Sequence, residues 1–168
     1  SECDEVFPLL SPDGKTLYFT RVLCDQNKGG KFTGTDIWSS QSTGAASWGL
    51  ATNEDALNDR DNSTIVGIGD KGDMFYMLKT TSIRRPEGIY QVRHMTNGWS
   101  KPTLAPVEGL EPDEFLGAYV TSDQTAMIIS MNGLDSKGKE DLYISLRNER
   151  GGWSKPKNMG STINTTGF

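Results

Sequence analysis

A motif ending in tryptophan recurs three times in this chain. Trp48, Trp99 and Trp153 stand 51 and 54 residues apart, and Ile37, Ile89 and Leu142 stand 52 and 53 apart. Independent markers that keep one period of about fifty residues point to stacked copies of one supersecondary unit. The first unit runs from Asp4-Glu5-Val6-Phe7 through Leu17-Tyr18-Phe19 and Asp36-Ile37-Trp38 to Ser47-Trp48-Gly49. The second has Thr64-Ile65-Val66, Met74-Phe75-Tyr76, Gly88-Ile89-Tyr90 and Gly98-Trp99-Ser100-Lys101-Pro102. The third has Ala118-Tyr119-Val120, Met127-Ile128-Ile129, Asp141-Leu142-Tyr143 and Gly152-Trp153-Ser154-Lys155-Pro156.

Each unit holds four short apolar runs separated by turn residues. In Ser11-Pro12-Asp13-Gly14, Pro pre-sets φ and Gly allows φ > 0. The continuous run at the second position, Leu17-Tyr18-Phe19 or its counterparts, suits a strand buried on both faces. No segment keeps the i, i+3, i+4, i+7 spacing of an amphipathic helix. Nineteen glycines and seven prolines among 168 residues fit many short strands. Four antiparallel strands per repeat make a β-propeller blade, whose apolar faces are covered by neighbouring blades. The expected fold is all-β: three four-stranded blades at about 1–56, 57–109 and 110–162 of a single partial domain. Residues 163–168 then read as the start of a further repeat. Rings close with four to eight blades. The expectation is therefore a piece of a six-bladed propeller, a dimer completing one, or an open half-propeller on another chain. The repeated Trp is expected to pack between blades.

A net charge of −5 without a basic stripe argues against nucleic acid as a partner. No apolar run has the length of a membrane span. Ser1 opens directly into patterned sequence with no signal-peptide pattern, which leaves export open. Two cysteines and one histidine, His94, do not make up a structural zinc set; no metal or cofactor is expected.

Candidate chemistry is sparse. His94 would have to serve any Ser-His-Asp triad, yet no Gly-x-Ser-x-Gly elbow is present. The acidic runs Asp59-Arg60-Asp61 and Glu111-Pro112-Asp113-Glu114 fall between units, where solvated loops are ordinary. The loop joining the second and third strands is basic in every unit: Lys28 and Lys31, then Arg84 and Arg85, then Lys137 and Lys139. These loops share one end of a propeller with the blade-to-blade connections and are the candidate partner-binding surface. A hairpin turning at Asp13-Gly14 pairs residues whose numbers sum to 27, Leu10 with Leu17 and Phe7 with Thr20. Cys3 and Cys24 share that sum and could form a disulfide, unless a bulge breaks the register and leaves two free thiols.

Residues 11–19, Ser-Pro-Asp-Gly-Lys-Thr-Leu-Tyr-Phe, resemble the WD40-like repeat of TolB-type propellers, and Asp36-Ile37-Trp38 adds to the likeness. The second and third units depart from it at Gly69-Asp70-Lys71-Gly72 and Ser122-Asp123-Gln124. The Gly-Trp-Ser-Lys-Pro segments, with Ile163-Asn164-Thr165, resemble envelope proteins of Bacteroidota in which a propeller accompanies a peptidoglycan-binding domain of the OmpA type. One family of that kind serves the type IX secretion machinery in the periplasm. The resemblance implies a non-catalytic scaffold of the cell envelope, exported to the periplasm or outer membrane, with protein or peptidoglycan-associated partners. The Ser-Pro-Asp-Gly turn also resembles the Asp-box of sialidases, which keeps a glycan-binding or glycan-cleaving propeller as an alternative. The regulatory propeller of a serine peptidase is another.

Overall fold

The computed structural model describes all residues except 1, 33, 81–85, 111–115 and 168, and the side chains of 86, 87 and 116 are also outside the description. Among the described residues, fourteen strands form three antiparallel sheets in chain order. The first contains β1 (Asp4–Leu10), β2 (Thr16–Val22), β3 (Asp36–Gly44), β4 (Ser47–Trp48) and β5 (Thr52–Asn53). The second contains β6 (Asn62–Ile68), β7 (Met74–Thr80), β8 (Pro86–Met95), β9 (Gly98–Trp99) and β10 (Thr103–Leu104). The third contains β11 (Leu116–Val120), β12 (Ala126–Met131), β13 (Asp141–Leu146) and β14 (Lys157–Asn158). In each, successive strands pair as a four-stranded meander, and β4 and β9 are two-residue returns on β3 and β8. The fold is all-β, built of propeller blades.

Two apolar layers hold the blades together. Leu9, Tyr18 and Ile37 of the first blade pack with Ile65, Phe75, Met77 and Val92 of the second. Val66, Met74, Tyr76 and Ile89 of the second pack with Val120, Met127, Ile129, Tyr143 and Trp153 of the third. Along β7, Phe75 and Met77 face the first blade while Met74 and Tyr76 face the third. That alternation is the strand's period of two, and it explains why the middle blade carries an unbroken apolar run.

The turn between the first two strands is the same in every blade. Gly14 and Gly72 take left-handed φ of 71° and 65°, and their N–H groups bond Ser11 O and Gly69 O at 2.8 Å. Gln124 holds the equivalent place at φ 57°, a conformation costly for a side-chain-bearing residue. Its departure from glycine has a visible reason: Gln124 Oε1 accepts the Tyr76 hydroxyl of the middle blade at 3.1 Å.

The structure corrects one detail of the expected register. In the first hairpin, Leu10 faces Leu17, but Val6, not Phe7, faces Thr20, because a bulge shifts the pairing between Val6 and Leu9. Phe7 sits at φ 52° and Pro8 has no N–H to give the ladder. The Gly-Trp-Ser-Lys-Pro segment does not itself form the fourth strand. Trp99 closes the return on β8, Pro102 interrupts the ladder, and the strand proper begins at Thr103. Trp153 is fully buried with its ring 5.8 Å from Tyr76, and Trp99 stacks 4.0 Å from Phe75. Trp48 is 41% exposed, because no described blade precedes the first.

Candidate functional site

The β2–β3 and β12–β13 loops lie at the end of the blades where the chain crosses from one blade to the next. Each is held by the same polar clamp. In the first blade, Asp36 Oδ2 accepts the Lys28 N–H at 2.8 Å and Asn53 Nδ2 at 2.6 Å. Asn58, in the connection leaving the blade, accepts the Ile37 N–H at 2.8 Å, donates to Ile37 O at 2.7 Å and reaches Asn53 Oδ1 at 3.0 Å. In the third blade, Asp141, Asn158 and Asn164 repeat these bonds on the Lys137 N–H and on Leu142. The clamp joins loop, third strand, fourth strand and connection into one unit, satisfying backbone groups that burial would otherwise leave unpaired.

The two aspartates respond differently. Burial pushes the Asp36 carboxyl above its usual range, and Asp36 Oδ1 has no partner among the described residues. The Lys137 N–H, with Asn158 and a further backbone donor, holds Asp141 below its usual range.

The first loop is organised around buried Asn27. Its Nδ2 donates to Arg21 O at 2.9 Å and Gly34 O at 3.0 Å, and its Oδ1 accepts Trp38 Nε1–H at 3.0 Å. A Cβ on Gly29 would stand 2.7 Å from Arg60 O, so the loop closes on the connection only with glycine there. At the loop's start, Cys3 and Cys24 form a disulfide with Cα atoms 4.8 Å apart. The bulge at Phe7 offsets the ladder by one residue, and Leu23 at φ 53° turns the chain just before Cys24.

Lys28 belongs to the scaffold: Nζ donates to Asp55 O at 2.7 Å and Asn58 O at 3.1 Å and pairs with the Asp55 carboxylate at 3.1 Å. Lys31 is exposed beside Phe32, with Nζ 6.0 Å from the ring centroid, and Phe32 is itself 84% exposed. In the third blade, Lys137 and Lys139 are exposed and Leu134 is fully exposed, while Tyr143 donates its hydroxyl to Asp135 at 2.7 Å beneath them. Arg84, Arg85 and the acidic run 111–114 lie outside the described residues. A cleft of about 400 Å³ opens beside the first loop, lined in part by Arg21, Lys31, Leu23, Asp25, Glu2 and the disulfide. Arg21 lies 4.3 Å over the Trp38 ring, and its Nε bonds Glu5 at 3.2 Å. Sequence reasoning passed over Arg21, Phe32 and Leu134. Arg21 reads as an ordinary strand cation, whereas Phe32 and Leu134 are isolated large apolar residues in Gly- and Lys-rich loops, a legible signal.

At the opposite end, Arg147 Nη1 donates to the Tyr76 hydroxyl at 2.7 Å and its guanidinium lies 5.0 Å over Trp153. His94 rests edge-on against Trp99 at 4.8 Å. Among the described residues, no three of His, Cys, Asp and Glu come together as a metal site, and no helix is long and apolar enough to cross a membrane.

No family model and no curated protein matches the chain. Among solved structures it is similar to TolB from Acinetobacter baumannii, with a TM-score of 0.51 and 19% identity over 97% of this chain and 34% of that one. It is also similar to prolyl oligopeptidase B from Galerina marginata, with a TM-score of 0.45 and 13% identity over 97% of this chain and 23% of that one. The chain thus spans about a third of the TolB chain. The first likeness agrees with the sheets described above: these are three consecutive blades of β-propeller type.

Proposed function

We propose that the chain is a non-catalytic protein-interaction module of a bacterial cell envelope, which presents its β2–β3 and β12–β13 loops to a partner. The observation that carries this reading is the loop end. Two clamps, a lysine tie and a disulfide fix the loop bases, while Lys31, Phe32, Leu134 and Lys137 stand exposed at their surfaces. Rigid scaffolding beneath exposed loops is the usual design of a recognition surface. The disulfide supports an oxidising compartment such as the periplasm. The Gly-Trp-Ser-Lys-Pro segments support the narrower context of the type IX secretion machinery, beside a peptidoglycan-binding domain. Tyr119 and Leu146 on one outer blade face and Leu10 and Trp48 on the other are at least 41% exposed. Faces of this kind are covered by adjacent blades in a ring, which supports a six-bladed whole.

The test is site-specific photo-cross-linking in an envelope extract, with the cross-linker at Lys31, at Lys137 or at Lys15 on the opposite end. A discrete adduct from the loop positions and none from Lys15 is expected. Adducts from Lys15 alone, or from none of the three, would sink the reading.

A further inference from the structure

We propose that a second copy of this chain covers the two open blade faces, the third blade of each copy seating on the first blade of the other to close a ring of six. This rests on the reading of those faces as blade contacts and names what fills them. The chain builds one kind of contact twice, the leading face of a blade against the trailing face of the next. Leu9, Tyr18 and Ile37 lead from the first blade and meet Ile68, Phe75 and Trp99 on the second. Gly67, Tyr76 and Ile89 lead from the second and meet Val120, Met127 and Trp153 on the third. Strand pairing beside the turn fixes the counterparts. Leu10 opposite Leu17 answers to Ile68 opposite Phe75 and Val120 opposite Met127. Tyr119 opposite Ile128 answers to Leu9 opposite Tyr18 and Gly67 opposite Tyr76.

The first blade therefore keeps an uncovered trailing face with Leu10, Leu17 and Trp48, and the third an uncovered leading face with Tyr119, Ile128 and Leu142. Leu10 is 53% and Tyr119 51% exposed, and apolar faces of this kind mark a contact. The leading face of the third blade repeats the complement of the first, one tyrosine and two branched aliphatics, with the tyrosine moved from the second strand to the first. The connection leaving the third blade also lies as the first blade's does: Gly138 abuts Gly167 O as Gly29 abuts Arg60 O. In the ring the partner's β1 then takes the place that β6 holds after the first blade. One chain carries both halves of one contact, so a single kind of partner covers both, whereas an unrelated protein would need two dissimilar surfaces. Head-to-tail contacts of this sort close only when the copies complete a circle. Propeller rings hold about four to eight blades, and six is the one multiple of three in that range, which sets the number of copies at two.

The test uses the whole, disulfide-bonded chain. Light scattering across a dilution series is expected to give twice 18.4 kDa at the concentrated end. The geometry of the contact is read with cysteines. A Cβ on Gly67 would stand 2.7 Å from Val120 Cβ, and Tyr119 of one copy against Leu10 of the other is the counterpart pair, close enough for a disulfide. The variant carrying both Leu10→Cys and Tyr119→Cys should run as a covalent dimer on a non-reducing gel after mild oxidation. Leu10→Cys alone and Tyr119→Cys alone should give no covalent dimer, because in a front-to-back contact neither residue meets its own copy. A mass of 18.4 kDa for the unaltered chain at every concentration, a covalent dimer from either single variant, or a ladder of larger species from the double variant would overturn the proposal. Cross-linked adducts from the Lys31 loop together with a monomeric chain would leave the interaction surface standing and remove only the second copy.

Discussion

Asn58 and Asn164 each tie a connection to a buried strand through both the N–H and the C=O of one residue, Ile37 or Leu142. Replacing either by Ala leaves the Ile37 or Leu142 N–H without this partner, while the carbonyl keeps the N–H of Glu54 or Met159 at 3.0 Å, at a cost of about 1–3 kcal/mol. Urea unfolding of Asn58→Ala and Asn164→Ala should show the loss, and Asn164→Asp should recover part of it, since a carboxylate still accepts the Leu142 N–H while Leu142 O keeps the Met159 N–H. The aspartates of the two clamps should differ with pH. The raised Asp36 favours the folded state once protonated, so its contribution is present below the unfolded value and lost as pH rises through the folded one. The lowered Asp141 stabilises above the unfolded value, and that stability disappears as pH falls through the folded one. Between neutral pH and about pH 3, Asp141→Asn should flatten the acid loss of stability, and Asp36→Asn should steepen it. Urea midpoints across that window decide; identical profiles for the two variants would contradict the assignment.

At the scale of single elements, the β1–β2 hairpin and its loop depend on Cys3–Cys24. The bond closes a loop with a sequence separation of 21, for which chain entropy alone gives about 3 kcal/mol. The double variant Cys3→Ser/Cys24→Ser should unfold at a correspondingly lower urea concentration, and its Trp38 should become more accessible to iodide as the Asn27 loop loosens. At the opposite end, Tyr76→Phe removes a hydroxyl that accepts from Arg147 and donates to Gln124. The expected cost is about 1.5–3 kcal/mol, as for a hydrogen bond to a charged group. The variant also leaves Gln124 in its left-handed turn with no such bond, so Gln124→Gly should then be tolerated better than in the unaltered chain. A thermodynamic cycle of the two substitutions measures that coupling.

Across the whole molecule, the strand order was legible because the period survives in residues that face neighbouring blades: Ile37 and Ile89 both enter the interblade layers, while their counterpart Leu142 faces outward. The bulge at Phe7 was not, since a proline in a strand signals an interruption without fixing which residue is left unpaired. The clamp was harder still. Asp36, Asn53 and Asn58 read as solvated polar residues, and their likeness to Asp141, Asn158 and Asn164 is blurred by one residue of spacing. The middle blade reveals it by contrast. There Gly88 and Leu104 occupy the Asp and first Asn positions, and a Cβ on Gly88 would meet the Leu104 side chain at 2.8 Å. Leu110, at the second Asn position, packs against the apolar layer. The outer face of the third blade exposes Tyr119, Leu142 and Leu146; Leu142→Lys with Leu146→Lys should suppress concentration-dependent association of the 18.4 kDa chain in light scattering.

The position of the clamp asparagines also bears on how such a protein is to be dissected. A fragment cut where the fourth strand ends would keep Asn53 and discard Asn58, stripping Ile37 of both its partners. Cleavage sites, permutation points and fusion junctions therefore belong beyond Asn58 and Asn164, a few residues later than the strands themselves would advise.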